Sequence, residues 1–83
     1  MKFKAEVDIM PLDALLDPQG KAVEMGLDNL GLKAIEQVRI GKHITFHVEA
    51  GSKAEAEKMT EEACAKLLAN KVMERYAYTL TEA

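Results

Sequence analysis

The chain has 83 residues, a formal net charge of −3, 48% hydrophobic residues and a single cysteine. This length allows one compact domain, the acidic balance argues against a nucleic-acid binder, and one cysteine cannot build a disulfide framework. A domain this small buries only about 60–65% of the surface its unfolded chain exposes, so self-association or docking onto a larger protein is expected. The uncharged apolar runs are far too short to cross a bilayer, and the lone Cys64 and the absence of a signal sequence suit a reducing cytoplasm. Residues 1–83 are therefore expected to form a single cytoplasmic domain, with no linker or repeat.

Residues 2–10 alternate. Phe3, Ala5, Val7 and Ile9 point one way and Lys2, Lys4, Glu6 and Asp8 the other, as in a strand with one buried face, which Pro11 ends. Asp17-Pro18 opens a helix, with Asp17 capping free amides and Pro18 at the first helical position. Val23, Leu27 and Leu30 make its inward stripe, Gly31 supplies a left-handed stop, and Met25 lies on the outer side.

Ile35–Glu49 is expected to form a hairpin. Val38 and Ile40 alternate before Gly41-Lys42, and Ile44, Phe46 and Val48 alternate after it. A three-residue loop, Gly41-Lys42-His43, pairs Ile40 with Ile44 and keeps both apolar sets on one face. Ser52-Lys53-Ala54-Glu55 is a capping box that starts a second helix. Its expected inward stripe is Ala56, Met59, Ala63 and Leu67, with Thr60 and Cys64 flanking, Leu68 well off the stripe and Asn70 as the stop. Tyr76, Tyr78 and Leu80 then alternate in a last strand. The order predicts an α+β, ferredoxin-like βαββαβ fold: a four-stranded antiparallel sheet with two helices on one face. The other face would carry Lys4, Glu6, Thr45, His47 and Thr79, a polar set suited to water or a wet interface.

The residues supply no catalytic, cofactor or metal site. Ser52, the only serine, is committed to a helix cap, and Cys64 has no histidine at helical spacing and reads as a small buried hydrophobe. His43 and His47 lie four strand positions apart, roughly 13 Å, too far to share one ion. Gly41-Lys42 lacks the upstream glycine of a phosphate-binding loop. No two carboxylates are brought into a sheltered cleft.

Three stretches carry a resemblance: Leu16-Asp17-Pro18-Gln19-Gly20, Val38-Arg39-Ile40-Gly41-Lys42, and Cys64-Ala65-Lys66-Leu67-Leu68-Ala69-Asn70 followed by Val72, Glu74 and Tyr76. In this order, across almost the whole chain, they are similar to the PurS family. This chain has Lys71 where the family often has proline. The resemblance implies a non-catalytic small subunit of phosphoribosylformylglycinamidine synthase, a purine-biosynthesis ligase that consumes glutamine and ATP. It implies a PurQ-type glutaminase subunit that releases ammonia and a PurL-type synthetase subunit that uses ATP and magnesium. The PurS-type subunit would bridge them, assist ammonia transfer and self-associate as a dimer or tetramer, binding no cofactor, nucleic acid or membrane itself. Asp17, Gln19 and Gly20 at the helix start, and Arg39, Gly41 and Lys42 at the expected hairpin tip, become candidate partner-binding residues, with a capped helix and a solvated turn as the bland alternatives. An ACT-like small-molecule regulatory domain shares the βαββαβ order and stays open as the rival.

Overall fold

A computed structural model describes all 83 residues. Three strands, β1 (Lys2–Pro11), β2 (Lys42–Glu49) and β3 (Glu74–Glu82), form one antiparallel sheet in the order β2-β1-β3. Helix α1 spans Pro18–Asn29, and helix α2 spans Lys53–Ala63 and continues through a wide π-helical turn over Cys64–Leu68. The central strand is β1, paired from Lys2↔Glu49 to Ile9↔Lys42 on one side and from Phe3↔Glu82 to Pro11↔Glu74 on the other.

The alternation of β1 fixes this arrangement. Phe3, Ala5, Val7 and Ile9 are all buried, and with Val48, Ala56 and Cys64 they form the core between the sheet and α2. The opposite face is solvated. It carries Lys4, Glu6, Asp8, His43, Thr45, His47 and Thr79, and the His43 Nδ1 to Asp8 Oδ1 pair (2.6 Å) lies exposed upon it.

The inward stripe of α2 differs from the expected one. Ala56, Thr60 and Cys64 are fully buried, whereas Met59 and Leu67 are exposed. Small side chains at i, i+4 and i+8 let the helix sit close to β1, and the longer Met59 and Leu67 fall to its flank. The start is as expected: Ser52 Oγ accepts from the Glu55 N–H (3.2 Å), and Glu55 Oε2 accepts from Gly51 N–H (3.2 Å). Leu68, expected outside, is half-buried against the core because the π turn rotates it inward.

The four-stranded sheet is not formed. Val38, Arg39 and Ile40 make no strand, so the Ile40–Ile44 pairing is absent and the sheet has three strands, although the order remains of ferredoxin-like α+β type. Side chains from the first half of the chain take the backbone groups that a strand would need. Glu24 Oε1 accepts from Val38 N–H (3.1 Å) and Asp17 Oδ2 accepts from Ile40 N–H (2.7 Å). Gln37, at φ 57°, turns the backbone in the left-handed region just before them.

The helices also do not share the sheet face. Helix α1 packs against neither the sheet nor α2, and Val23 and Leu30 of its expected inward stripe are exposed. Its ends follow the sequence: Asp17 Oδ1 accepts from Gly20 N–H (3.1 Å), and Gly31 turns out at φ 87°.

Candidate partner-docking junction

Two of the stretches that carry the resemblance, 16–20 and 38–42, meet where the loop after β1, the start of α1 and the approach to β2 cross. Asp17 stands at the centre. It is nearly buried, and its two carboxylate oxygens bridge Gly20 N–H of the helix start and Ile40 N–H of the crossing segment. These two N–H donors, Ile40 foremost, hold its carboxyl below the ordinary carboxylate value, helped by the nearby Arg39 charge.

Arg39 is used inside the chain. Its Nη2 donates to the Leu12 carbonyl (2.7 Å) and its Nη1 to the Leu15 carbonyl (2.9 Å), so the guanidinium clamps the 12–17 loop against the crossing segment. The expected hairpin tip therefore does not exist, and Arg39 does not project from a turn.

Both junction glycines permit close backbone approach. A Cβ on Gly20 would lie 2.2 Å from the Val38 carbonyl oxygen, and one on Gly41 would lie 2.3 Å from the Ile9 carbonyl oxygen. Lys42 begins β2 and reaches Glu74 at the start of β3 (Nζ–Oε2 3.5 Å), while remaining more than half exposed. The Glu74 carboxyl is held low mainly by the Asn70 N–H that it accepts, with Lys42 adding to the effect.

A cleft of about 350 Å³ opens here, lined by Pro11, Asp17, Gln19, Ile40, Gly41 and Lys42, with Glu74 at its side. Gln19 is exposed, and its side chain makes no hydrogen bond within the chain. All six candidate residues thus meet: Asp17, Gly20, Arg39 and Gly41 build the junction, and Gln19 and Lys42 present polar groups from it. A cleft of about 380 Å³ opens at the far end of the sheet beside Met1, Phe3, Lys53, Leu80, Thr81 and Glu82, and it contains none of the motif residues.

The sequence reading missed Glu24, which ties Val38 to α1, and Glu74, which ties Lys42 to β3. Glu24 stands one turn after Gly20 on the same helix side, a spacing that pointed to it. The Tyr76 hydroxyl donates a hydrogen bond to Glu61, another pairing not foreseen.

The junction holds no nucleophile with a base. Ser52 caps α2 at another part of the chain, and Cys64 is buried in the core with its thiol pushed up by desolvation. No group of three His, Cys, Asp or Glu side chains is arranged to hold a metal ion. The arrangement can recognise a polar surface, with a rigid carboxylate-centred frame behind an amide and an ammonium.

The family model for PurS, phosphoribosylformylglycinamidine (FGAM) synthase, matches residues 4–82. The PurS subunit of that synthase from Synechocystis sp. is 44% identical over 68 residues, covering 82% of this chain and 68% of the relative. The Bacillus subtilis PurS subunit is 35% identical over 80 residues, covering 96% of this chain and 94% of the relative. Among solved structures, a chain of PurLQS from Thermotoga maritima superposes with a TM-score of 0.90 at 31% identity, covering 98% of this chain and 99% of that one. The ACT-type alternative has no support among these relatives. A match over nearly the whole length in sequence, together with the same fold, leaves one conclusion: the chain belongs to the PurS family, the PurS subunits of phosphoribosylformylglycinamidine synthase.

Proposed function

We propose that this chain is the non-catalytic adaptor of a three-part FGAM synthase in the cytoplasm, bridging a PurL-type synthetase and a PurQ-type glutaminase and assisting ammonia transfer between them. ATP and magnesium act in the synthetase subunit. The PurLQS assembly of Thermotoga maritima, which contains a chain of this fold, supports the partnership. The need is chemical. Ammonia released from glutamine protonates and diffuses away in water, so two distant sites gain from a subunit that holds them in line.

The observation that carries a docking role for the junction is its division of labour. Asp17 and Arg39 spend their hydrogen bonds on the backbone, and this leaves Gln19 and Lys42 as outward polar groups on a pre-organised frame. A polar group lost from a desolvated interface costs on the order of 2–5 kcal/mol when it is charged and paired, and a rim group far less.

The test is the doubly substituted Gln19→Ala, Lys42→Ala chain in a complex reconstituted with synthetase and glutaminase subunits. Both side chains are exposed, so melting and self-association should match the parent chain. Glutamine-dependent synthesis should fall at least tenfold at limiting subunit concentration, while synthesis driven by added ammonia changes little. Equal assembly and equal glutamine-dependent rates would show that the junction is only a solvated corner of the fold. Arg39→Ala is a poorer probe, because it also releases the Leu12 and Leu15 carbonyls.

A further inference from the structure

Helix α1 keeps its direction without resting on the sheet or on α2. Within it only Gly20 is buried, and only Glu24 and Leu27 are half-buried. These three stand at i, i+4 and i+7, on one side of the helix. An inward position of a helix ordinarily takes an apolar side chain, yet the middle position of this side carries a carboxylate.

That carboxylate and Gly20 act on one residue of the crossing segment. Gly20 lets the helix approach so closely that a Cβ would lie 2.2 Å from the Val38 carbonyl oxygen, and Glu24 Oε1 accepts from the Val38 N–H (3.1 Å). Asp17 Oδ2 accepts from Ile40 N–H (2.7 Å), so α1 grips both ends of the 38–40 stretch. A partly desolvated carboxylate with one directed hydrogen bond buries little area and fixes much geometry. With Asp17 as its only anchor, the helix could pivot and roll about its start. Glu24 lies one turn beyond Gly20, about 6 Å along the axis, and a second anchor there fixes both direction and roll. Gln19 stands about 100° around the helix from Gly20. The roll therefore decides whether its side chain lies beside Lys42 along the junction cleft, which both residues line, or turns away from it.

We propose that Glu24 is a positioning residue for docking: it touches no partner, and its hydrogen bond to Val38 N–H sets the roll of α1 that presents Gln19 beside Lys42. The proposal rests on the docking reading of the junction and adds a requirement to it. Position 24 needs an oxygen acceptor rather than a negative charge.

The test titrates variant chains into the synthetase and glutaminase subunits and follows glutamine-dependent synthesis. Glu24→Ala should raise the half-saturating chain concentration about fivefold, as expected for one lost hydrogen bond, and leave the saturated rate unchanged. Glu24→Gln keeps an oxygen for the Val38 N–H and should restore the parent value. Adding Glu24→Ala to the Gln19→Ala, Lys42→Ala chain should change nothing further, because the groups it positions are gone. A merely structural role would weaken that chain as well. In the free chain, amide exchange at Val38 should quicken in Glu24→Ala and not in Glu24→Gln. Alanine favours the helix, so the fold should be retained.

A glutamine variant as poor as the alanine one would overturn the inference, and so would an alanine effect that persists without Gln19 and Lys42. A Glu24→Ala chain of parental affinity, beside a weakened Gln19→Ala, Lys42→Ala chain, would sink this inference and leave the docking reading standing. An unweakened Gln19→Ala, Lys42→Ala chain would remove the docking reading and this inference with it.

Discussion

Two glycines of the same helix should respond in opposite directions to the same substitution. In α1, replacing glycine by alanine favours the helix by about 0.8–1 kcal/mol where nothing else changes. Gly26 meets that condition, since a Cβ there finds no atom within 4 Å. Gly20 does not: its Cβ would stand 2.2 Å from the Val38 carbonyl oxygen and 2.8 Å from Asp17 Oδ2. Ordinary contact needs about 1 Å more, and the obstacle is backbone held by Glu24 and Asp17, so it cannot swing aside like a side-chain tip. Overpacking of this kind costs about 1–3 kcal/mol, which offsets or exceeds the propensity gain. Gly26→Ala should therefore raise the denaturation midpoint, whereas Gly20→Ala should lower it or leave it unmoved. The gap between the two should be about 2 kcal/mol, or roughly 8–16 °C in Tm for a domain of this size. Thermal and urea unfolding at one protein concentration measure that gap, and amide exchange at Ile40 reports whether the junction has opened. Coincident midpoints with unchanged Ile40 protection would refute the close approach at Gly20.

The Thr60 hydroxyl is fully buried without a hydrogen-bond partner, so Thr60→Val should stabilise the fold by about 1 kcal/mol, and a lower urea midpoint would contradict this. Cys64 should react with a thiol reagent at least a hundred times more slowly in the folded chain than in urea, because burial both shields it and disfavours its thiolate form; fast labelling in buffer would count against the packed core. Tyr76 is pushed up to about 12, first by its hydrogen bond to Glu61, so that bond stabilises the fold fully below pH 10 and is lost as the pH rises through 12. Glu61→Gln should move its absorbance titration down toward 10, and an unmoved titration would rule out the pairing. The Asp17 carboxyl is held below its ordinary value by the Ile40 and Gly20 N–H groups, so its contribution is present above that ordinary value and is lost as the pH falls through the lowered folded one; Asp17→Asn should flatten this acid limb of a stability–pH curve, and an unaltered limb would argue against the bridge.

How much of the fold was legible depends on how local its cause was. The β1 alternation, the Asp17 and Ser52 caps and the Gly31 stop are set within a few residues, and each stands where the sequence places it. Val38–Ile40 has the alternation of a strand but is claimed by partners far away in sequence, Glu24 and Asp17. Periodicity reports which side chains are apolar, not which carboxylate will take a backbone N–H. The α2 stripe failed for a related reason. Met59 and Leu67 are more hydrophobic than Thr60, yet the close seat of the helix on β1 favours the small residues Ala56, Thr60 and Cys64. The stripe of α1, expected to face inward, is exposed along Val23 and Leu30, because apolar spacing does not say which surface covers it.

The candidate site was legible as a set of residues and not as a shape. Asp17, Gln19, Gly20, Arg39, Gly41 and Lys42 were singled out as two separate features, a helix start and a hairpin tip, and they form one junction. Most of them serve the backbone: Asp17 bridges two N–H groups, Arg39 clamps two carbonyls, and the two glycines allow chain segments to touch. Such residues specify geometry. The same hydrogen bonds that deny the sheet a fourth strand also aim α1 away from the body and hold Gln19 and Lys42 at the surface. A change in Asp17 or Arg39 should then disturb the arm and the junction at once, although neither side chain needs to touch a partner.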